Sequence, residues 1–387
     1  MDFDFSPEQT MLRDVTREIM TRESPATAVR ALLDDPAGYN PAVWKQLAET
    51  GLLGVTIDEQ RGGQGLGMVE LALVLEEMGR AALPSPYFAT VVLAASAIQA
   101  GGNRAQMDAY LPAIAGGTLL ATLAVSDVDP NAGAAGITTR ARLQGGDYVL
   151  SGTKHFVPFA HLANLILVAA RTRESGDPQD GITLFAVERG ALGLGVEAVT
   201  GMDQTSRDAT VTLADVRVGR DAIVGTVDDG WKIVSQVLER AAVAASAEML
   251  GAARKCMDMS VEYVKVREQF GQPIGAFQAI KHACAEMLLE VEGSHGAVYY
   301  AAWAQDADAP DASMAASVAK SWVNDAARKV CGSAIQVHGG IGFTWEYDLH
   351  LYFKRAKRLE ALYGDSETHC ELVLEQVLSP REQLALA

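Results

Sequence analysis

The chain is poor in the residues that staple or metallate proteins. Its 387 residues include only four cysteines and seven histidines. The cysteines, at 256, 284, 331 and 370, form no Cys-x-x-Cys pair and no zinc-ligand spacing. They read as free thiols in a reducing compartment, and no metal site is expected. No apolar run reaches the roughly 18 residues needed to span a bilayer. The opening "MDFDFSPEQTMLRD" has no apolar h-region of a secretion signal. A cytoplasmic protein without a membrane partner is therefore expected. Basic residues are also scarce, with 32 Lys and Arg against 49 Asp and Glu, for a net charge of -17. That balance argues against nucleic acid and anionic membrane as partners and leaves any anionic small ligand to a local basic patch.

What is present is apolar bulk. With 49% apolar residues the chain can bury a sizeable core, and its length suggests two or three domains. Residues 1–120 read as helical. Ser6-Pro7-Glu8-Gln9 has the signature of a helix start, and "MVELALVLEEMGRAAL" carries apolar positions at helical spacing. The glycines of "RGGQGLG" (61–67) are not followed by Gly-Lys-Ser/Thr, so they read as a loop before a helix. Between 121 and 226 the texture changes to short β-branched stretches, "DYVLSG", "LILVAAR", "ITLFAVERG" and "ATVTLADVRVG", divided by turn residues. That spacing suggests a small barrel or sandwich. From 227 to 387 helices return, and the stretch from Trp231 reads as one helix of about forty residues, a length typical of bundles. The expected fold class is α+β multidomain: an N-terminal helical domain, a central β-barrel and a C-terminal four-helix bundle.

Two motifs suggest a ligand. "VREQFGQPIGAFQAIKH" (266–282) joins a helix end, a Gly-Pro turn and a new helix. Arg267 offers a planar cationic fork suited to a pyrophosphate, Phe270 and Phe277 offer flat apolar faces, and Gln269 and Gln278 offer amides. "QVHGGIG" supplies adjacent glycines, Gly339 and Gly340, that allow backbone to approach a ligand closely. Each motif alone is also compatible with ordinary helix capping and packing.

In this order, together with "DVRVGRDAIVGTVDDGWKI" and the opening "MDFDFSPEQ", the motifs make the chain resemble the acyl-CoA dehydrogenase family over essentially its whole length. The resemblance implies the three-part fold above, FAD as cofactor, an acyl-CoA substrate from fatty acid or steroid side-chain degradation, and a homo- or hetero-tetramer. It also implies an external electron acceptor such as an electron-transfer flavoprotein. It places Arg267 on the FAD pyrophosphate, with Gln269, Phe270, Ile274, Phe277, Gln278, Gln336, Val337, Gly339 and Gly340 around the adenine half. On the flavin half it implies Ser126, in "SDVDPNAG", and Phe156, in "KHFVPF". There Ala132 and Pro158 replace hydroxyl-bearing residues of the family pattern.

The family removes the α-proton of the thioester with a glutamate, found in one of two places. In one version, the position falls here on Tyr363, with Asp365 just beyond it. In the other, the glutamate lies ten residues before a glycine that is here Gly251, which puts Ala241 at that position. Glu239 is two residues early, about 200 degrees around a helix. Three readings follow. In the first, the chain is a dehydrogenase subunit that lacks the base and completes the FAD site of a related partner. In the second, it is a self-sufficient homotetramer using a displaced acid, Glu239 or Asp365. In the third, it is a flavin monooxygenase or a non-catalytic assembly protein on the same scaffold.

Overall fold

The structure, a computed structural model, describes residues 4–385, with side chains as far as residue 378; Met1–Phe3 of the opening motif lie outside the described residues. Helices α1 (Pro7–Glu23), α2 (Ala26–Ala31), α3 (Pro41–Glu49), α4 (Met68–Arg80), α5 (Ser96–Gly101) and α6 (Arg104–Ala115) come first. Strands β1 (Ala121–Ala124), β2 (Arg140–Gln144), β3 (Asp147–Pro158), β4 (Leu165–Arg171), β5 (Ile182–Glu188), β6 (Leu194–Val199), β7 (Asp208–Val218) and β8 (Ile223–Val224) follow. The chain ends in α7 (Gly230–Val266), the short β9 (Glu268–Gln269) and β10 (Gln272–Pro273), α8 (Gln278–Asp306), α9 (Ala312–His338), α10 (Leu349–Ala361) and α11 (Ser366–Ala385). Helices, then a β region, then helices again is the arrangement the sequence texture implies.

Two compact units divide this chain, and neither is continuous in sequence. One takes in the chain up to Leu33, Met68–Leu83 and Ala242 onward; the other takes in Asp34–Gly67 and Pro84–Ala241.

In the helical unit, α1 starts with a reciprocal cap. Ser6 Oγ accepts the Gln9 amide, the Gln9 side chain accepts the Ser6 N–H, and Pro7 fills the first helical position, where no N–H is needed. The acids of α4 are not solvated. Glu77 is 1% exposed and receives both Arg17 Nε and Nη2, while Glu76 accepts Tyr299 Oη at 2.7 Å and Arg254 Nε at 3.1 Å. Each buried carboxylate thus has a charged donor, without which its desolvation would be unaffordable.

Helices α4 and α7 cross at two glycines. A Cβ on Gly79 would collide with the Glu248 carbonyl of α7, and one on Gly251 with the Glu76 carbonyl of α4. The glycine that fixes the register of the long helix is therefore required by close backbone approach. Gly251→Ala should gain about 1 kcal/mol of helix propensity but lose about 1–3 kcal/mol or more to overpacking. A lowered urea midpoint checks this; a midpoint at or above that of the parent chain would show that the crossing has slack.

In the other unit, β1–β8 form one sheet in the order β6-β7-β3-β2-β4-β5-β8, with β1 alongside β4. The pairing is antiparallel except for β1 with β4 and a single contact of β2 with β4. Leu150, Val157, Val168, Phe185, Val187, Val211 and Val216 fill its core. The ladder between β3 and β7 slips twice, once between Leu150 and Gly152 and again between Lys154 and Val157. The second slip is a bulge that leaves His155 and Phe156 without ladder partners, and bulges re-aim side chains. Phe88–Ala95 winds as a π-helix, a form the sequence does not announce and one uncommon over this length.

Candidate functional site

The Arg267 segment is a tight hairpin. β9 and β10 pair antiparallel through Gln269 and Gln272, and the two residues between them, Phe270 and Gly271, both have positive φ, at 54° and 79°. Two left-handed residues in a two-residue loop fit the right-handed twist of a hairpin, but normally neither is aromatic. The turn raises Phe270 until it is 92% exposed, with its ring edge-on to Phe277 at 6.1 Å. The Ile274 amide donates to the Arg267 carbonyl at 2.8 Å and closes the turn. The Arg267 guanidinium is exposed, and no ion pair among the described residues uses it. Gln269 and Gln278 are exposed, while Ile274 and Phe277 are half-buried.

The end of α9 meets this segment through a ring stack. Tyr263, one turn before Arg267, lies over His338 with centroids 4.2 Å apart. The Ala334 carbonyl can only accept, so His338 Nδ1 donates to it at 2.8 Å, and Nε2 is left to accept from Tyr347 Oη at 3.2 Å. Burial pulls the imidazole below its usual value, which suits a neutral ring. Gln336 is exposed and Val337 buried. Gly339 takes φ 64°, ψ -141°, a region essentially reserved for glycine, and both Gly339 and Gly340 face open space. Arg267 and the nine residues assigned to the adenine half thus sit on two segments of one unit, joined by the Tyr263–His338 stack.

Ser126 and Phe156 lie in the other unit, held by a buried ion pair. The Lys154 side chain is 0% exposed, and its Nζ lies 2.5 Å from Asp127 Oδ1 and 2.7 Å from the Val125 carbonyl. Asp127 also accepts the amides and hydroxyls of Thr138 and Thr139. Burial would raise the Asp127 carboxyl, but the Lys154 charge and the amide donors outweigh it and hold it below the usual carboxylate range. Burial pulls Lys154 down to about 8 against the attraction of Asp127. Between these anchors the His155 amide donates to the Ser126 carbonyl at 2.9 Å. Ser126 Oγ is buried without a protein hydrogen-bond partner. Phe156, on the bulge, is 47% exposed at φ 56°. Pro158 offers only its carbonyl, which Thr122 Oγ1 already uses at 2.7 Å.

The two base positions present no carboxylate. Ala241 is 0% exposed, and Glu239 is exposed. Tyr363 sits at φ 60° in the loop between α10 and α11. Asp365 caps α11: its Oδ1 accepts the Thr368 amide at 2.8 Å, and this bond, ahead of the nearby Lys320 charge, lowers its carboxyl below the ordinary value. His338, in "QVHGGIG", packs against the Tyr263 and Tyr347 rings.

Models of the acyl-CoA dehydrogenase N-terminal, middle and C-terminal domains match residues 6–118, 122–216 and 228–378. The chain belongs to the acyl-CoA dehydrogenase family, whose members bind FAD and are oxidoreductases. It is 31% identical to a Bacillus subtilis protein named a probable acyl-CoA dehydrogenase, covering 98% of this chain and all of that one. Among solved structures it resembles butyryl-CoA dehydrogenase from Megasphaera elsdenii, with TM-score 0.90, 28% identity, and 98% and 100% of the two chains covered. It also resembles a chain of the ChsE4-ChsE5 complex from Mycobacterium tuberculosis, with TM-score 0.88, 25% identity, and 97% and 99% covered. No helix among the described residues is long and apolar enough to cross a membrane, and no group of metal-ligating side chains converges there.

The residues present fit FAD. A guanidinium without an ion-pair partner among the described residues, two phenyl rings on the same hairpin segment, an open Gly-Gly turn and a buried serine hydroxyl without a protein partner are each suited to one part of it. Two groups escaped the sequence reading, Lys154 and Lys320. Both were legible as lysines on buried registers. Lys320 shares its helix face with Ala316, Val323 and Ala327, where a charge needs a reason.

Proposed function

We propose that the chain is an FAD-dependent acyl-CoA dehydrogenase subunit that acts on an acyl-CoA thioester together with a related partner chain and completes that partner's FAD site. Bound FAD supplies the acceptor for the hydride equivalent leaving the β-carbon. The roles of this chain are binding and orientation. Arg267 would hold the pyrophosphate, Phe270 and Phe277 the adenine side, and the Gly339–Gly340 turn would admit the cofactor backbone. Ser126 Oγ and the Phe156 ring would border the flavin.

The observation that carries the reading is the commitment of Asp365. A general base needs a carboxylate free to approach the α-proton, whereas this one is tied to the first turn of α11 and lowered in basicity. Tyr363 brings a phenol, not a carboxylate, to the other base position. The two-chain complex named among the structural relatives supports a paired assembly. An electron-transfer flavoprotein as acceptor and a cytoplasmic location belong to the same reading, as do the three-part domain bounds and the cofactor contacts assigned above.

Purification of the chain alone and with a related chain tests it. Alone, it should retain little flavin and leave acyl-CoA unchanged. Co-purified, flavin should appear at about half the total chain concentration, as in a site shared by a pair of unlike subunits. Flavin at parity with the lone chain, bleached anaerobically by an acyl-CoA and abolished by Asp365→Asn, would instead establish the self-sufficient enzyme.

A further inference from the structure

The loop between α10 and α11, residues 362–365, is fixed from several sides at once. The Tyr363 carbonyl accepts His369 Nε2 at 2.8 Å, and the Gly364 carbonyl accepts Lys320 Nζ at 2.8 Å. Lys320 Nζ also donates to the Leu359 carbonyl at 3.0 Å and to Asn324 Oδ1 at 2.6 Å. These are three acceptors for the three N–H bonds of an ammonium, in a side chain that is 0% exposed. Leu359 lies in the last turn of α10, so Lys320 satisfies a helix-end carbonyl and the loop carbonyl together. Gly364 has φ 94°, and a Cβ there would collide with the His369 ring. Asp365, as the cap of α11, fixes the far side. A core helix needs none of this. A methionine at 320 would fill similar volume without desolvating a charge, so a lysine there costs stability unless the carbonyls it holds must stay where they are.

We propose that Lys320 is a positioning residue. Its ammonium, with His369 opposite, clamps the backbone on both sides of Tyr363 and holds that residue in its left-handed conformation beside the acyl thioester. The inference rests on the reading that this loop borders the thioester. A left-handed tyrosine is unfavourable for an unconstrained loop, and the clamp supplies the constraint. Lys320 on α9 thus holds Leu359 and Gly364, and His369 and Thr368 on α11 hold Tyr363 and Asp365.

The experiment labels Tyr363 with 3-fluorotyrosine in the intact protein, purified with whatever partner chain it requires, and compares the parent with Lys320→Met. Two readouts are taken: the ¹⁹F resonance of residue 363 without ligand, and the affinity for octanoyl-CoA. The parent should give one narrow line. Lys320→Met should give a broadened or split line, bind octanoyl-CoA about tenfold or more weakly, and otherwise stay folded. Should Lys320→Met not fold, Lys320→Gln, which keeps two N–H donors, is read by the same criteria. A folded variant with an unchanged ¹⁹F line overturns the clamp, because that readout needs no thioester. A broadened line with unchanged octanoyl-CoA affinity overturns the positioning role, and locates the failure in the placement of the loop beside the substrate.

Discussion

Replacing Lys154 with methionine is expected to cost about 3–5 kcal/mol of stability and to lower the flavin retained by the co-purified assembly. Asp127 would keep its hydroxyl and amide donors but lose the opposite charge while 3% exposed. An unpaired buried carboxylate is far more costly than the intact pair is stabilising. The strand end carrying Ser126 and the bulge carrying Phe156 would also lose their common anchor, since Lys154 Nζ bridges Val125 and Asp127. Adding Asp127→Asn should recover part of the loss, because a neutral amide still accepts from Thr138 and Thr139. Urea unfolding of the two singles and the double gives the coupling energy, and a single-mutant loss under about 1 kcal/mol would mean that water relaxes the pair.

The pH dependence of the same pair has a definite sign. The Asp127 carboxyl is held below its ordinary value, so its stabilisation is present above the ordinary carboxylate range and is lost as pH falls through the lowered folded value. Lys154 is lowered from 10.5 to about 8. The unfolded chain therefore binds the extra proton between those values, and this group makes stability rise with pH across that window.

The second large effect is confined to the cofactor. Arg267→Met should weaken FAD binding by about 10–100-fold, the worth of one charge-assisted hydrogen bond or more, in whichever assembly carries the cofactor. Stability of the apoprotein should not change, because the Arg267 side chain is exposed and enters no ion pair among the described residues. Arg267→Lys should restore the charge but little of the affinity, since an ammonium cannot present the paired N–H fork that a pyrophosphate accepts. Flavin fluorescence released on dilution measures both variants. Parity of all three proteins in FAD retention would remove Arg267 from the site.

The elements were legible where local chemistry decides them. Ser6, Pro7 and Gln9 announce α1, and β-branched stretches such as Leu165–Arg171 form a strand from end to end. The β9–β10 hairpin was visible as a turn, yet nothing in "EQFGQP" shows that Phe270 itself goes left-handed; strand pairing imposes that. The bulge at Phe156 was hidden for the same reason, because it exists only relative to β7. Lys154 and Lys320 have partners distant in sequence, at 125–127 and 359–364, and no local pattern reports such contacts.

Three aromatic residues, Phe156, Phe270 and Tyr363, stand at φ 56°, 54° and 60° on the segments assigned to flavin, adenine and thioester. Asparagine or glycine would occupy each turn with less strain, by about 1 kcal/mol apiece. A lineage that kept this scaffold only for assembly would be free to drift towards those cheaper residues. In this chain all three turns carry rings, and contact with a bound ligand would offset their strain.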